Sequence, residues 1–148
     1  MFHYDTCGLD YIYLKNGYEV EVEDGEEFVS FHDFDGIQEA IGLSIVNQKR
    51  WMTKEQLKFI RGEFNLSQTK FGSMLFVDRQ TIARWEKGEV AIPPMMDINI
   101  RLLYLESIDK ESNISMMVEY LADAEASDIM EKVILEEVGD HWEYSKLA

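Results

Sequence analysis

Start and stop signals for short helices follow one another closely in residues 57–88, LKFIRGEFNLSQTKFGSMLFVDRQTIARWEKG, and constrain the fold more than any other stretch. Leu57, Ile60 and Phe64 fall at helical spacing. Upstream, Thr53 is placed to cap the first turn, with Gln56 as its reciprocal partner. Ser67 then reads as the N-cap of a second short helix, because its hydroxyl can accept from an orphan backbone N–H. Gln68 opens that helix, and Phe71, Met74 and Leu75 form its apolar stripe. Asp78 is another N-cap signal only three residues after Leu75, so the intervening turn must be tight. Gly88 is placed to stop the third helix as a left-handed cap.

The third helix has two unlike sides. Ile82 and Trp85 point one way, while Arg79, Gln80, Ala83, Arg84 and Lys87 share the other, which carries no carboxylate. Asp78 sits at the cap, and Glu86 turns towards the first helix. An Arg can give two donors to guanine O6 and N7, and a Gln can bond adenine N6 and N7 in the same two-point way.

The run Leu66-Ser67-Gln68, Phe71, Leu75, Val77, Ile82, Trp85-Glu86 and Gly88 resembles the Cro/repressor (Xre) type of helix-turn-helix domain over roughly Trp51 to Glu106. The resemblance implies a bundle of about five helices whose third lies in the major groove of double-stranded DNA. It implies that Arg79, Gln80 and Arg84 face base edges, and that Gln68, Thr81 and Lys87 meet the DNA backbone. It also implies an Arg61–Glu86 pair that supports the bundle together with Ile82 and Trp85. Two positions depart from the family pattern. Gly72 stands where Ala is usual, which should weaken the second helix by about 1 kcal/mol. Phe76 stands where the turn usually has Gly, and a bulky residue at positive φ costs about 1–2 kcal/mol. The expected response is a slightly rebuilt turn in which the Phe76 ring contributes to packing.

Charge divides the chain into three. Residues 1–50 hold 3 basic and 11 acidic side chains, residues 51–110 hold 9 and 8, and residues 111–148 hold 2 and 10. The helix-rich segment is therefore a nearly neutral island in a chain of net charge −15. Phosphate contacts dominate non-specific affinity, so such a chain should bind random DNA poorly and depend on specific contacts. A homodimer reading two half-sites one helical turn apart would supply them. The acidic flanks are either solvated surface or attract a basic protein partner.

The flanks are expected to build an accessory module. Tyr11 to Leu14 reads as a strand, Asn16-Gly17 as a hairpin turn, and Tyr18 to Val22 as a second strand with Tyr18, Val20 and Val22 on one face. Asp24-Gly25 marks another turn, and Phe28 to Phe31 a third strand. A helix over 36–47 follows, with Ile37, Ile41, Leu43 and Ile45 apolar and Asp35 as its cap. The last helix of the bundle should run over 97–106. Beyond it, Ser112 or Asn113 should cap a helix carrying Ile114, Met117, Val118 and Leu121 on one stripe. A strand over 132–138 should join the N-terminal strands, before a turn at Gly139-Asp140. The expected architecture is α+β: an accessory module over 1–50, a five-helix domain over 51–110, and a C-terminal helix and strand over 111–148. The β part is expected to be antiparallel, and the last segment to pack on the first module or on a dimer interface.

A small β module ahead of such a domain is similar to that of the MqsA-like antitoxins, many of which hold zinc through two Cys pairs. This chain has the single Cys7, no C-x-x-C, and only His3, His32 and His141. No metal site and no cofactor are expected, because a structural zinc needs four N or S donors in tetrahedral reach. No nucleophile elbow, phosphate loop or metal-binding His pair appears, so the chain is not expected to be an enzyme. The Glu19-Val20-Glu21-Val22-Glu23 run reads as a solvated edge that discourages aggregation. No apolar run approaches the ~20 residues that span a bilayer, no signal-peptide pattern opens the chain, and one cysteine allows no internal disulfide; a cytoplasmic protein is expected. The function implied is a sequence-specific, dimeric repressor of its own operon. The alternative is a protein-interaction module that neutralises a basic partner such as a toxin.

Overall fold

The computed structural model describes residues 1–108 and 130–146. The helix expected after Ser112 or Asn113 lies outside them. The chain divides into two compact units, Met1–Ser44 with Met130–Ala148, and Ile45–Ile129. Helices and strands are segregated along much of the chain, as an α+β class requires. No helix among the described residues is long and apolar enough to cross a membrane.

The first unit contains a four-stranded sheet in the order β1 (Phe2–His3), β2 (Ile12–Leu14), β5 (Val133–Val138), β6 (His141–Lys146). β1 and β2 are antiparallel, and so are β5 and β6, but β2 and β5 run parallel with Tyr13 opposite Ile134. The sheet is therefore mixed, not purely antiparallel as expected. Chain ends far apart in sequence meet here without needing a tight turn. Ile12 and Leu14 point inwards and are fully buried, as are Ile37 and Ile41 one helical turn apart on α1 (Phe34–Val46). A separate two-stranded ribbon, β3 (Tyr18–Glu23) and β4 (Glu26–Phe31), closes around Asp24-Gly25, both at positive φ as a type I′ turn demands.

Two local expectations fail for identifiable reasons. Asn16-Gly17 does not form a hairpin between β2 and β3. Only Gly17 has positive φ, and a type I′ turn needs both central residues there. Asn16 instead extends the β2–β5 ladder with its side chain: its Oδ1 accepts from the Glu137 N–H at 2.7 Å, and its Nδ2 donates to the Glu137 carbonyl at 3.4 Å. A Cβ on Gly17 would collide with the Trp142 ring. Asp35 is not the cap of α1, because it already lies inside the first turn; Asp33 takes the role, its Oδ1 accepting from the Gly36 N–H at 3.1 Å.

The described part of the second unit is helical: α2 (Lys54–Glu63), α3 (Gln68–Leu75), α4 (Arg79–Lys87) and α5 (Pro94–Ser107), with the last two residues of α1. Leu57, Ile60, Phe71, Ile82 and Ile100 are fully buried and form its centre. Pro94 starts α5 three residues earlier than expected, since a proline at the first helical position loses no intrahelical bond. A buried polar network fixes the segment between α1 and α2. The wholly buried Arg101 donates to Asp97 at 2.5 Å and to the carbonyls of Val46, Gln48 and Arg50. Asp97 also accepts from the Met52 N–H at 2.6 Å. Gln48 and Gln56 exchange two side-chain bonds, each 2.8 Å. Every strong donor and acceptor of this buried cluster thus has a partner, without which burying the charges would be unfavourable.

Candidate nucleic-acid interface

The helical unit is punctuated by side-chain caps that position one exposed helix face. Thr53 and Gln56 form the reciprocal capping box of α2, with bonds of 3.1 and 3.0 Å. Ser67 accepts from the Lys70 N–H at 3.1 Å and starts α3. Asp78 accepts from both the N–H and the hydroxyl of Thr81, at 2.8 and 2.7 Å, and starts α4. Those bonds from Thr81, with the nearby Arg84 charge, hold the Asp78 carboxyl below the usual carboxylate range. Gly88, at φ +74°, ends α4, while Gly88 and Glu89 return their N–H groups to the carbonyls of Trp85 and Arg84.

The turn between α3 and α4 keeps the geometry that a glycine would favour, with a phenylalanine in it. Phe76 has φ +60° and is 96% exposed, so its ring does not pack as expected. The Phe76 and Val77 N–H groups bond back to the Ser73 and Gly72 carbonyls, which satisfies two of the carbonyls in the last turn of α3. Gly72 has a steric reason. A Cβ there would lie 2.7 Å from the Val77 carbonyl oxygen, a backbone atom with little room to retreat. The small residue in α3 lets the turn close against the helix, and the turn closes tightly enough to leave the Phe76 ring outside.

α4 is anchored from behind. Ile82 is fully buried and Trp85 nearly so; burying an isoleucine is worth about 1.5–3 kcal/mol. Arg61 clamps the same helix to α2 through two bonds to Glu86, at 2.6 and 3.0 Å, and gives a third to the Leu66 carbonyl. Gln68 donates to Glu86 at 3.2 Å. The Glu86 carboxylate is thus consumed inside the unit, with its side chain only 5% exposed.

On the opposite side Arg79, Gln80, Arg84 and Lys87 are exposed. Their side chains make no hydrogen bond or ion pair among the described residues. Thr81 is half-buried with its hydroxyl held by Asp78. Three cations and an amide therefore share one side of a short rod, and both neighbouring carboxylates are engaged elsewhere. The side-chain amide of Gln68 is also oriented by an internal bond. Sequence reasoning missed the Asp97–Arg101–Gln48 network, since nothing in the spelling of α5 distinguishes a buried arginine from a solvated one.

Elsewhere, Cys7 is half-buried, with its thiol directed at the carbonyls of Tyr4 and Leu9, and burial raises its pKa. His3 bonds the Asp10 carbonyl and stacks on Tyr13. Among the described residues no three His, Cys, Asp or Glu side chains gather closely enough to hold a metal ion. Comparison of the chain with protein-family models, with curated proteins and with solved structures finds no match.

Proposed function

We propose that the helical unit is a Cro/repressor-type helix-turn-helix domain and that the protein is a sequence-specific, DNA-binding regulator, acting as a dimer to repress its own operon. The observation that carries this reading is the exposed side of α4. Arg79, Gln80 and Arg84 project from a helix capped at both ends and anchored by Ile82, Trp85 and the Arg61–Glu86 clamp. In this reading those three side chains meet base edges, and Gln68, Thr81 and Lys87 meet the phosphate backbone. The net charge of −15 makes the affinity depend on contacts that only the right sequence completes, because few phosphates are neutralised. The test is selection of bound duplexes from a random pool at two salt concentrations. Enrichment of an inverted repeat whose half-sites lie about one helical turn apart is the expected result. A pool that never departs from random composition would refute the reading.

A further inference from the structure

The β3–β4 ribbon exposes apolar side chains within the first unit. Its base is fixed: the Phe2 ring lies 5.2 Å from Tyr18 and 5.5 Å from Phe31, and Tyr4 lies 5.2 Å from Phe31. Beyond that aromatic base, Val20 is 49% exposed and Val22 68% exposed. Two strands alone are marginal in water, where three with an apolar face suffice. The hydrogen-bond phase of the ribbon is set by the 2.9 Å bond from the His32 N–H to the Gly17 carbonyl. Antiparallel pairs alternate, so Glu19, Glu21 and Glu23 exchange backbone bonds with their partners Ser30, Phe28 and Glu26. Tyr18, Val20 and Val22 therefore turn their N–H and C=O groups to the outer edge of β3. No strand among the described residues pairs with that edge.

We propose that the outer edge of β3 is a docking site for an extended segment of a partner protein in which Lys or Arg alternates with β-branched apolar residues. Charge and period choose this occupant together. An added strand puts successive side chains on opposite faces. On one face they meet Glu19, Glu21 and Glu23, and on the other they lie beside Val20 and Val22. Backbone bonds supply affinity and the alternating side chains supply selectivity. A second copy of the ribbon fits badly, because like charges placed opposite one another destabilise strand pairing. Nucleic acid is repelled by the same carboxylates. This site belongs to the first unit and does not depend on whether α4 reads DNA.

The test uses the full-length protein and a capped peptide of about seven residues in which Lys alternates with Val, the usual length of a strand. One control has the same composition with its lysines and valines in separate blocks. Another is the alternating peptide N-methylated on the amides that face β3. The expected result is binding about tenfold tighter for the alternating peptide than for the block peptide, from summed cross-strand pairs. The N-methylated peptide should not bind, and amide exchange should slow at Val20 and Val22. Val20→Pro removes an outward N–H without touching the β3–β4 bonds, so it should abolish binding while the Glu21 amide stays protected. Glu21→Lys, a surface change, should weaken binding about tenfold by placing like charges opposite one another. Equal binding of the block and alternating peptides, protection at Glu27 and Val29 instead, or no binding of the alternating peptide would each overturn the proposal.

Discussion

Replacing Phe76 by glycine should stabilise the helical unit, although it deletes a large apolar side chain. The residue sits at φ +60° and ψ 36°, where a side chain costs about 1–2 kcal/mol. The residue is 96% exposed, so deleting its side chain sacrifices almost no burial. Glycine adds freedom to the unfolded chain, which offsets about 0.4–1 kcal/mol of the gain. The net expectation is about 1 kcal/mol of stabilisation. Ile82 and Trp85 are buried in the adjacent helix, so exchange of their amides reads opening of this unit alone. Both should slow about fivefold in Phe76→Gly, the ratio that about 1 kcal/mol implies. Phe76→Ala keeps the strained backbone and loses only the ring, so it should show much less of the effect. Faster exchange in Phe76→Gly would mean that the ring packs after all and that the backbone strain at this residue is small.

Gly72→Ala should do the reverse: helix propensity favours alanine by about 1 kcal/mol, but its Cβ would press on the Val77 carbonyl, so a lower urea midpoint is expected. Arg101→Met should cost about 3–5 kcal/mol, since it strands the buried Asp97 carboxylate and removes the donor to three carbonyls; denaturant unfolding of the full chain measures this. Asp78 makes the start of α4 pH-dependent. Its carboxyl is held below its ordinary value of 3.8, so its contribution is complete above that value and is lost as pH falls through the lower folded value. Thr81 amide exchange should therefore lose its protection as pH falls below 3.8, and Asp78→Asn should remove that pH dependence. Gly17→Ala should loosen the first unit, because the new methyl falls on the Trp142 ring; faster exchange of the Glu137 amide would report it.

Local signals in the sequence match the structure where the chain itself satisfies them. Thr53 with Gln56, Ser67, Asp78 and Gly88 each cap within a few residues, so spelling and structure coincide. Asp24-Gly25 is legible for the same reason. Asn16-Gly17 carries an equally strong turn signal, yet Asn16 bonds a backbone 121 positions away, a partner that no local window contains. The parallel pairing of β2 with β5 has the same origin. The apolar character of Phe76 suggests burial, whereas the close approach of Val77 to Gly72 fixes the turn with the ring outside. The exposed side of α4 follows directly from helical period, which is why the candidate site was legible before the buried network around Arg101 was.

The most direct measurement is how α4 side chains read an enriched duplex, position by position. Arg84→Ala and Gln80→Ala should each cost about 1–3 kcal/mol and relax preference at a single base pair, leaving the others intact. Lys87→Ala should instead weaken binding evenly across sequences and flatten the salt dependence by about one counterion. If all three variants kept wild-type affinity and wild-type sequence preference on that duplex, α4 would not be the reading element and the proposed function would be contradicted.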